Sequence, residues 1–326
     1  MTLVLPDTSK NTSFSKESPL LQLAIDSTSL GEVKTCMRKY FYSVVWGYQP
    51  KSTKVDLIFG IWMHEGSERY QHAKAKGLGH NDCLDVALDH VLRSTWNKEL
   101  GRPWASGDSY KNRLTLVRTL VWYLDQYGEH DSLETIILAN GKPAVELSFS
   151  FDVGFHTFSG ERIQYCGHLD RLAEMNGQRF IPDLKTTKSD ISPHYWAQFN
   201  PSNQFGMYSL AGQVAFNVSV RGIVVDAAQV LVNSSRFARQ LIPKDEASVD
   251  EWFRGSLWWL RLIEDAAKDG LRHGEAAYPM NDKSCGMWGG CPFQSICARS
   301  PGARQQWLDS EFNQRVWDPL QRRGDI

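Results

Sequence analysis

The chain has 326 residues, of which 42% are hydrophobic and 22% charged, a composition typical of a folded globular protein and unlike that of a disordered one. A formal net charge of −1 excludes an overall basic field, so a nucleic acid partner would have to be held by a local basic patch or through metal ions. No apolar run approaches the roughly 20 residues of a membrane span, and residues 1–19 lack the order of a signal peptide; we therefore expect a cytoplasmic protein without a membrane partner.

The first part of the chain is predicted to be helical. Residues 1–20 are rich in Ser, Thr, Lys and Pro and are expected to form a flexible arm. A helical region is expected over residues 21–140, because apolar and aromatic residues recur there at helical spacing. The individual helices are predicted over residues 29–45, 59–77, 82–99 and 109–128.

The pattern changes after residue 140, where short and partly alternating apolar runs begin. They predict strands over residues 144–153, 164–174 and 179–185, followed by a helix over 198–216, a strand over 220–232 and a helix over 245–272. We therefore expect an α/β fold with a small mixed sheet flanked by helices within residues 141–240, and a C-terminal region over 241–326 that carries a helix and clustered cysteines. Residues 21–300 are expected to form one compact unit.

An Asn-Gly pair at positions 176 and 177 predicts a two-residue β-hairpin, because both central positions of a type I′ turn need a positive φ. In that register paired residue numbers sum to 353, and Asp170 would lie directly opposite Asp183. The two carboxylates would repel, and a divalent cation that binds both would offset the repulsion. Lys185 would point to the same face as Asp183. The set suits cation-dependent phosphodiester hydrolysis, although the same residues could form an exposed acid–lysine group without function.

The segments around these acids resemble a known nuclease family. Residues 167–171 (GHLDR) and 181–188 (IPDLKTTK) resemble the second and third motifs of the RecB-like branch of the PD-(D/E)XK nucleases, which includes the iron–sulfur exonucleases of CRISPR adaptation and phage-type relatives. The resemblance implies that Asp170 and Asp183 bind Mg²⁺ or Mn²⁺ and that Lys185 is the catalytic lysine. It also implies a DNA substrate, cut as an exonuclease in recombination, repair or phage DNA metabolism.

Three further pieces of sequence extend this resemblance. The segment FGIWMHE resembles the upstream helix of the branch, which implies that His64 is a third metal ligand. Gln204 and Tyr208 match its Gln-x-x-x-Tyr motif, which implies that they contact DNA or orient the lysine. Glu146, in the sequence VELSF, matches a carboxylate of the first strand less specifically. Without the resemblance, a lone histidine is more often an ordinary helix residue, and a Gln–Tyr pair more often packs within a helix face.

Three of the six cysteines lie close together near the C-terminal end, and in a reducing cytoplasm such clustering favours metal binding over disulfides. Their spacing lacks the short Cys-x-x-Cys pairs of a usual zinc site. Iron–sulfur members of the RecB-like branch take one cysteine from upstream of the nuclease core and three from just after it. The resemblance therefore implies a [4Fe–4S] cluster on Cys36, Cys285, Cys291 and Cys297, of structural role. The alternatives are a structural zinc site and an ordinary buried thiol at Cys36.

The sequence contains no phosphate-binding loop of the GxxxxGK[ST] form, so a helicase or recombination partner would be a separate subunit. Two other functions compete with the nuclease. One is a DNA-binding accessory subunit that keeps the fold and the metal cluster without cutting. The other is a structural zinc protein in which the acids are incidental. No oligomeric state is indicated.

Overall fold

The structure is a computed structural model that describes residues 13–52, 54–315 and 317–321. Its α-helices are α1 (Ser27–Thr35), α2 (Met37–Tyr40), α3 (Val55–Ala75), α4 (His80–Ser94), α5 (Arg113–Tyr127), α6 (Pro193–Ala197), α7 (Asn203–Val214), α8 (Glu246–His273), α9 (Gln294–Cys297) and α10 (Pro301–Glu311). Its β-strands are β1 (Ala24–Ile25), β2 (Tyr48–Pro50), β3 (Trp96–Asn97), β4 (Arg102–Pro103), β5 (Glu134–Thr135), β6 (Val145–His156), β7 (Arg162–Arg171), β8 (Ala173–Met175), β9 (Gln178–Thr187), β10 (Val220–Val230), β11 (Ser235–Pro243) and β12 (Phe312–Gln314). The helical N-terminal half and the α/β class expected from the sequence are confirmed. Among the helices described here, none is long and apolar enough to cross a membrane.

The described residues form two compact units, each assembled from separate stretches of chain. The first unit takes its residues from Met1–Ser52, Ser148–Gly167 and Ala247–Ile326, and the second from Thr53–Leu147 and His168–Glu246. The first unit combines segments that are distant in sequence because their strands pair: β1 lies parallel to β7, with Ala24 opposite Gln164. The chain-contiguous regions expected from the sequence, 21–140, 141–240 and 241–326, therefore cut across the two units.

Residues 13–20, which were expected to belong to a flexible arm, are folded into the first unit. Phe14 is buried and forms an isolated β-bridge with Gln22, and Leu20 is fully buried. The expectation is therefore corrected for these residues, because burial of two large apolar side chains offsets the entropy lost by ordering the segment. Residues 1–12 of the expected arm lie outside the described residues.

The second unit contains a mixed five-stranded sheet with the order β11-β10-β9-β8-β5. Strands β9 and β10 are parallel, with Asp183 opposite Val225, and the other neighbours are antiparallel. Apolar side chains of α3, α4 and α5 pack with Leu184 of β9 in one core cluster. Because β9 has a neighbour on each side and helices over one face, the acid and the lysine that it carries are held on a rigid element.

The Asn176-Gly177 hairpin forms with the predicted register. Both residues have positive φ, 51° and 71°, and the strands pair as Met175–Gln178, Glu174–Arg179 and Ala173–Phe180. The ladder does not continue to Asp170, because the backbone pairs elsewhere from Leu172, whose N–H donates to the Ala144 carbonyl at 2.8 Å. Asp170 lies on β7, which pairs with β1 and β6 in a three-stranded sheet. The expected ladder pairing of Asp170 with Asp183 is therefore corrected, although the two acids still line one cavity.

The helix predicted over residues 29–45 is interrupted at Cys36. Helix α1 ends at Thr35, and Cys36 is extended, with φ −168° and ψ 116°, before the chain resumes as α2 and a π-helical turn. The backbone N–H of Asn281 donates to Cys36 Sγ at 3.3 Å. The break therefore takes the thiol off the helix surface and places it beside the C-terminal segment of the first unit.

A buried ion network joins β10 and β11 of the second unit to the loop that precedes β5. The Arg239 guanidinium lies 3.0 Å from a carboxylate oxygen of Asp131 and 2.9 Å from one of Asp226. Tyr123 donates its hydroxyl to Asp226 at 2.8 Å. The side chains of Asp131 and Asp226 are only 3% and 1% exposed, and Arg239 is the cation that pairs with both, while Arg171 lies 3.3 Å from Asp131 alone.

Replacing Arg239 by methionine is expected to lower the free energy of unfolding by about 3 kcal/mol, because it leaves two buried carboxylates without their shared cation. Arg236 lies on the same strand with an exposed side chain, and Arg236→Met is the matched control. We expect the control to change stability by no more than about 0.5 kcal/mol. Urea unfolding of the three proteins measures both values, and a loss below about 1 kcal/mol for Arg239→Met would contradict the assignment.

Candidate active site

Three side chains of the second unit bring potential metal ligands together. His64 of α3, Glu146 of β6 and Asp170 of β7 each place one ligand atom within 4.8 Å of the other two. His64 Nδ1 lies 3.2 Å from Asp170 Oδ2. Ligand atoms of a six-coordinate cation with bonds of about 2.1 Å are roughly 3–4 Å apart, so this spacing fits such an ion.

Glu146 has a strained backbone at this site. Its φ is 46°, in the left-handed region, whereas it lies near the start of the extended strand β6. A residue with a Cβ atom adopts this region at a cost of about 1–2 kcal/mol. Such strain persists where the surrounding structure enforces it, and it is concentrated at functional sites. Here it accompanies a carboxylate that lies beside His64 and Asp170.

Asp183 is a fully buried acid with an unsatisfied oxygen. Its Oδ2 lies 2.7 Å from Lys185 Nζ, while Oδ1 has no hydrogen-bond donor among the described residues. Burial raises the pKa of Asp183 to about 6; Lys185 opposes this rise and Asp170 adds to it. Burial alone would lower the pKa of His64, but the carboxylates of Asp170 and Asp183 raise it. Burial and the neighbouring Asp170 carboxylate thus both disfavour the charged form of Asp183.

Lys185 is held from two sides. Besides Asp183, its ammonium donates to Gln204 Oε1 at 3.0 Å, and Gln204 Nε2 donates to the Tyr208 hydroxyl at 2.9 Å. Gln204 and Tyr208 are one turn apart on α7, so a single helix face supplies both groups. The structure thus places Gln204 of the predicted Gln-x-x-x-Tyr pair in direct hydrogen-bond contact with the predicted lysine, and Tyr208 behind Gln204.

A cavity of about 30 Å³ lies among His64 and the acids of the site, which is room for at least one water molecule or ion. Its lining includes His64, Glu146, Asp170 and Asp183, together with Asp226 of the buried ion network. Sequence reasoning missed Asp131, Asp226 and Arg239, because they lie on three separate elements and no local spacing links them. Glu146 was recognised less firmly for the same reason.

The four cysteines singled out in the sequence lie together in the first unit. Cys36, Cys285, Cys291 and Cys297 line a cavity of about 100 Å³, and all are free thiols. Burial raises the pKa of Cys297 to about 11, with Arg38 and Arg304 opposing the rise. The two remaining cysteines, Cys83 and Cys166, are buried and line neither of the cavities described here.

Comparison with known protein families decides the classification. A family model described as the PD-(D/E)XK nuclease superfamily matches residues 27–298. The chain belongs to this superfamily. The match spans every acid, lysine and cysteine discussed above, and the PD-(D/E)XK nucleases are hydrolases that use divalent metal ions. The recognised fold and superfamily are therefore confirmed.

The other comparisons add little to this classification. A solved structure described as the crystal structure of SSO0001 aligns at 13% identity over 72% of this chain and 76% of that chain, with a TM-score of 0.28. That likeness is too weak to bear on the fold. No curated protein matches the chain.

In this PD-(D/E)XK nuclease, Asp183→Asn is expected to stabilise the metal-free protein by on the order of 2–3 kcal/mol at about pH 7.5. The folded-state pKa of Asp183, about 6, lies above the ordinary value of 3.8, so wild type loses stability as the pH rises through this interval. The asparagine has no charge to bury, so the variant does not lose this stability. At about pH 4.5 the folded wild type holds a proton on Asp183, and the stability gained by the substitution should fall to less than half. Urea unfolding in EDTA at both pH values measures it. A variant less stable than wild type at the higher pH would show that the Lys185 ion pair outweighs burial of the charge.

Proposed function

We propose that this chain is a cation-dependent deoxyribonuclease of the RecB-like branch that acts as an exonuclease on DNA ends or single strands. The observation that carries the proposal is the convergence of His64, Glu146 and Asp170 within 4.8 Å, in the cavity that Asp183 also lines. Lys185, bonded to Asp183 and Gln204, supplies the cationic side chain that such a site needs.

The donor set suits Mg²⁺ or Mn²⁺. Hard divalent cations prefer carboxylate oxygens, and an imidazole is an acceptable ligand for Mn²⁺. We assign His64, Asp170 and Asp183 as ligands, with Glu146 beside them. The orphaned Oδ1 of Asp183 supports this fit, because a bound cation would supply its missing partner. When bound, the cation would activate a water molecule and stabilise charge on the phosphoryl group.

The protein groups then have separate tasks. Lys185, held between Asp183 and Gln204, donates to a phosphoryl oxygen on which negative charge develops. Gln204 and Tyr208 orient the ammonium, since Gln204 accepts from Lys185 and donates to Tyr208. Because both partners of the lysine are fixed on rigid elements, little reorganisation is needed as the reaction proceeds.

We also propose that Cys36, Cys285, Cys291 and Cys297 hold a [4Fe–4S] cluster. Sulfur atoms around a single zinc ion are about 3.8 Å apart, given Zn–S bonds of about 2.3 Å. Within the part of the chain that the structure describes, no three of these thiols lie within 4.8 Å of one another, and the cavity between them measures about 100 Å³. A larger cluster fits this arrangement better than one ion. The Asn281 N–H bond to Cys36 Sγ is also of the kind that tunes cluster thiolates.

The cellular setting belongs to the same proposal. The six free thiols suit a reducing compartment, and we place the protein in the cytoplasm. A helicase or recombination protein would act as a separate partner that generates the DNA ends or single strands.

Cleavage of linear and covalently closed circular DNA tests this function. Protein purified without oxygen is mixed with end-labelled linear DNA, single- or double-stranded, and with circles, in Mg²⁺ or Mn²⁺ and in EDTA. We expect cation-dependent loss of linear DNA while circles stay intact. Equal cleavage of circles would replace the exonuclease by an endonuclease. Folded protein that binds DNA without cutting under any condition would favour the accessory-subunit alternative.

A further inference from the structure

Tyr195 has a buried hydroxyl group that the mechanism above leaves unused. The residue is 8% exposed, and its hydroxyl oxygen is buried without a hydrogen-bond partner in the described part of the chain. Buried polar groups in proteins are nearly always hydrogen-bonded, and an unpaired one is costly. A ligand or a water molecule is therefore expected to complete its bonding.

A series of aromatic contacts links the Tyr195 ring to the surroundings of Lys185. Tyr195 lies on α6, whose N-cap residue Ser192 accepts a hydrogen bond from its backbone N–H. Its ring packs edge-on against Phe199, with centroids 5.3 Å apart, and Phe199 stacks on Phe205 at 5.8 Å. The Lys185 ammonium lies 6.0 Å from the centroid of the Phe205 ring. Tyr195 also packs edge-on against Trp196, with centroids 5.2 Å apart, so two neighbouring rings hold its side chain in place.

The Asp183 carboxylate interacts electrostatically with the Tyr195 hydroxyl. Burial raises the pKa of Tyr195 well above its usual value, and the Asp183 carboxylate raises it further. The hydroxyl therefore keeps its proton and remains a hydrogen-bond donor throughout the working pH range. A buried donor and the buried, unpartnered Oδ1 of Asp183 thus lie within electrostatic reach of each other.

We propose that Tyr195 is a substrate-contacting residue whose hydroxyl donates a hydrogen bond to a non-bridging oxygen of the phosphodiester that Lys185 also contacts. The proposal rests on the proposed nuclease function and extends it. Tyr195 transfers no proton. It orients the phosphoryl group relative to the Lys185 ammonium and stabilises negative charge on one oxygen.

Tyr195→Phe removes the hydroxyl and keeps the ring, and single-turnover cleavage at saturating Mn²⁺ and DNA measures its effect. We expect the rate to fall about ten- to hundredfold, as for loss of one hydrogen bond to a charged group. The cation-induced rise in melting temperature should be unchanged, because every ligand is retained. Tyr278→Phe is the matched control: that hydroxyl, in the first unit, is also buried and partnerless among the described residues. Its rate should stay within about twofold of wild type.

Phosphorothioate substrates separate a substrate contact from a structural role, which would slow all substrates alike. In one diastereomer sulfur replaces the oxygen that accepts from Tyr195, and sulfur accepts hydrogen bonds weakly. The loss caused by Tyr195→Phe should shrink to no more than about threefold on that diastereomer and persist on the other. Equal losses on both, or a wild-type rate in Tyr195→Phe, overturn the role of Tyr195 while leaving the nuclease intact. A wild type that cuts no DNA overturns the nuclease function and this proposal with it.

Discussion

Replacing Lys185 by methionine is expected to slow DNA cleavage about 10³- to 10⁵-fold, the range that a cationic group at a transferring phosphoryl contributes in other enzymes. The physical reason is the position of its ammonium, 2.7 Å from Asp183 Oδ2 and 3.0 Å from Gln204 Oε1. Methionine keeps most of the length and the apolar stem of the side chain and removes the charge. Single-turnover cleavage in Mn²⁺ measures the loss, and melting curves with and without Mn²⁺ check that the cation still binds.

Lys188 provides the matched control for this substitution. It lies three residues further along the chain, and its ammonium pairs with Asp108 at 3.2 Å and Asp56 at 3.5 Å. Since these acids neutralise it, Lys188→Met is expected to change the rate by no more than about threefold. If Lys185→Met cut DNA within tenfold of the wild-type rate, the lysine would not be part of the reaction.

Replacing Cys291 by serine is expected to remove the iron and the brown colour from protein purified without oxygen. A [4Fe–4S] cluster needs four ligands, and a serine hydroxyl is a poor substitute for a thiolate. Iron should fall from about four atoms per chain to less than one. Because the cluster would cross-link Cys36 to the C-terminal segment within the first unit, the melting temperature should fall by on the order of 10 °C.

Cys83→Ser is the control for the cluster. Cys83 is buried and packs in the apolar core of the second unit, and its Sγ lies 3.5 Å from the Leu78 carbonyl, to which a serine could also donate. This variant should keep its iron and its visible absorbance. A colourless wild type that carries one zinc per chain would replace the iron–sulfur assignment by a structural zinc site.

Local sequence signals predicted most of the secondary structure. The Asn176-Gly177 turn is a strong signal because few residue pairs tolerate positive φ at both positions, and its register is observed from Met175–Gln178 to Ala173–Phe180. Helices α3, α4 and α5 follow from apolar spacing in the same way. Where the prediction was wrong, tertiary interactions decided the outcome. The break at Cys36 accompanies a bond from Asn281, a residue distant in sequence.

In the candidate site, too, some residues could be predicted from local spacing and others only from the three-dimensional structure. Asp183 and Lys185 lie on one strand, and Gln204 and Tyr208 on one helix turn, so their spacing was readable from the sequence. The proximity of Glu146 to His64 and Asp170 depends on the three-dimensional meeting of helix α3 with strands β6 and β7 and on one unusual backbone angle. Tyr195 carries no motif at all, and its buried hydroxyl is visible only in three dimensions.

We propose that one divalent cation binds at His64, Glu146, Asp170 and Asp183. Anomalous scattering from a crystal soaked in Mn²⁺, recorded on both sides of the manganese absorption edge, locates such an ion. We expect a manganese peak within about 2.3 Å of ligand atoms from His64, Asp170 and Asp183, with Glu146 bound directly or through water. A well-ordered site with no manganese peak at millimolar Mn²⁺, or manganese bound only elsewhere, would contradict it.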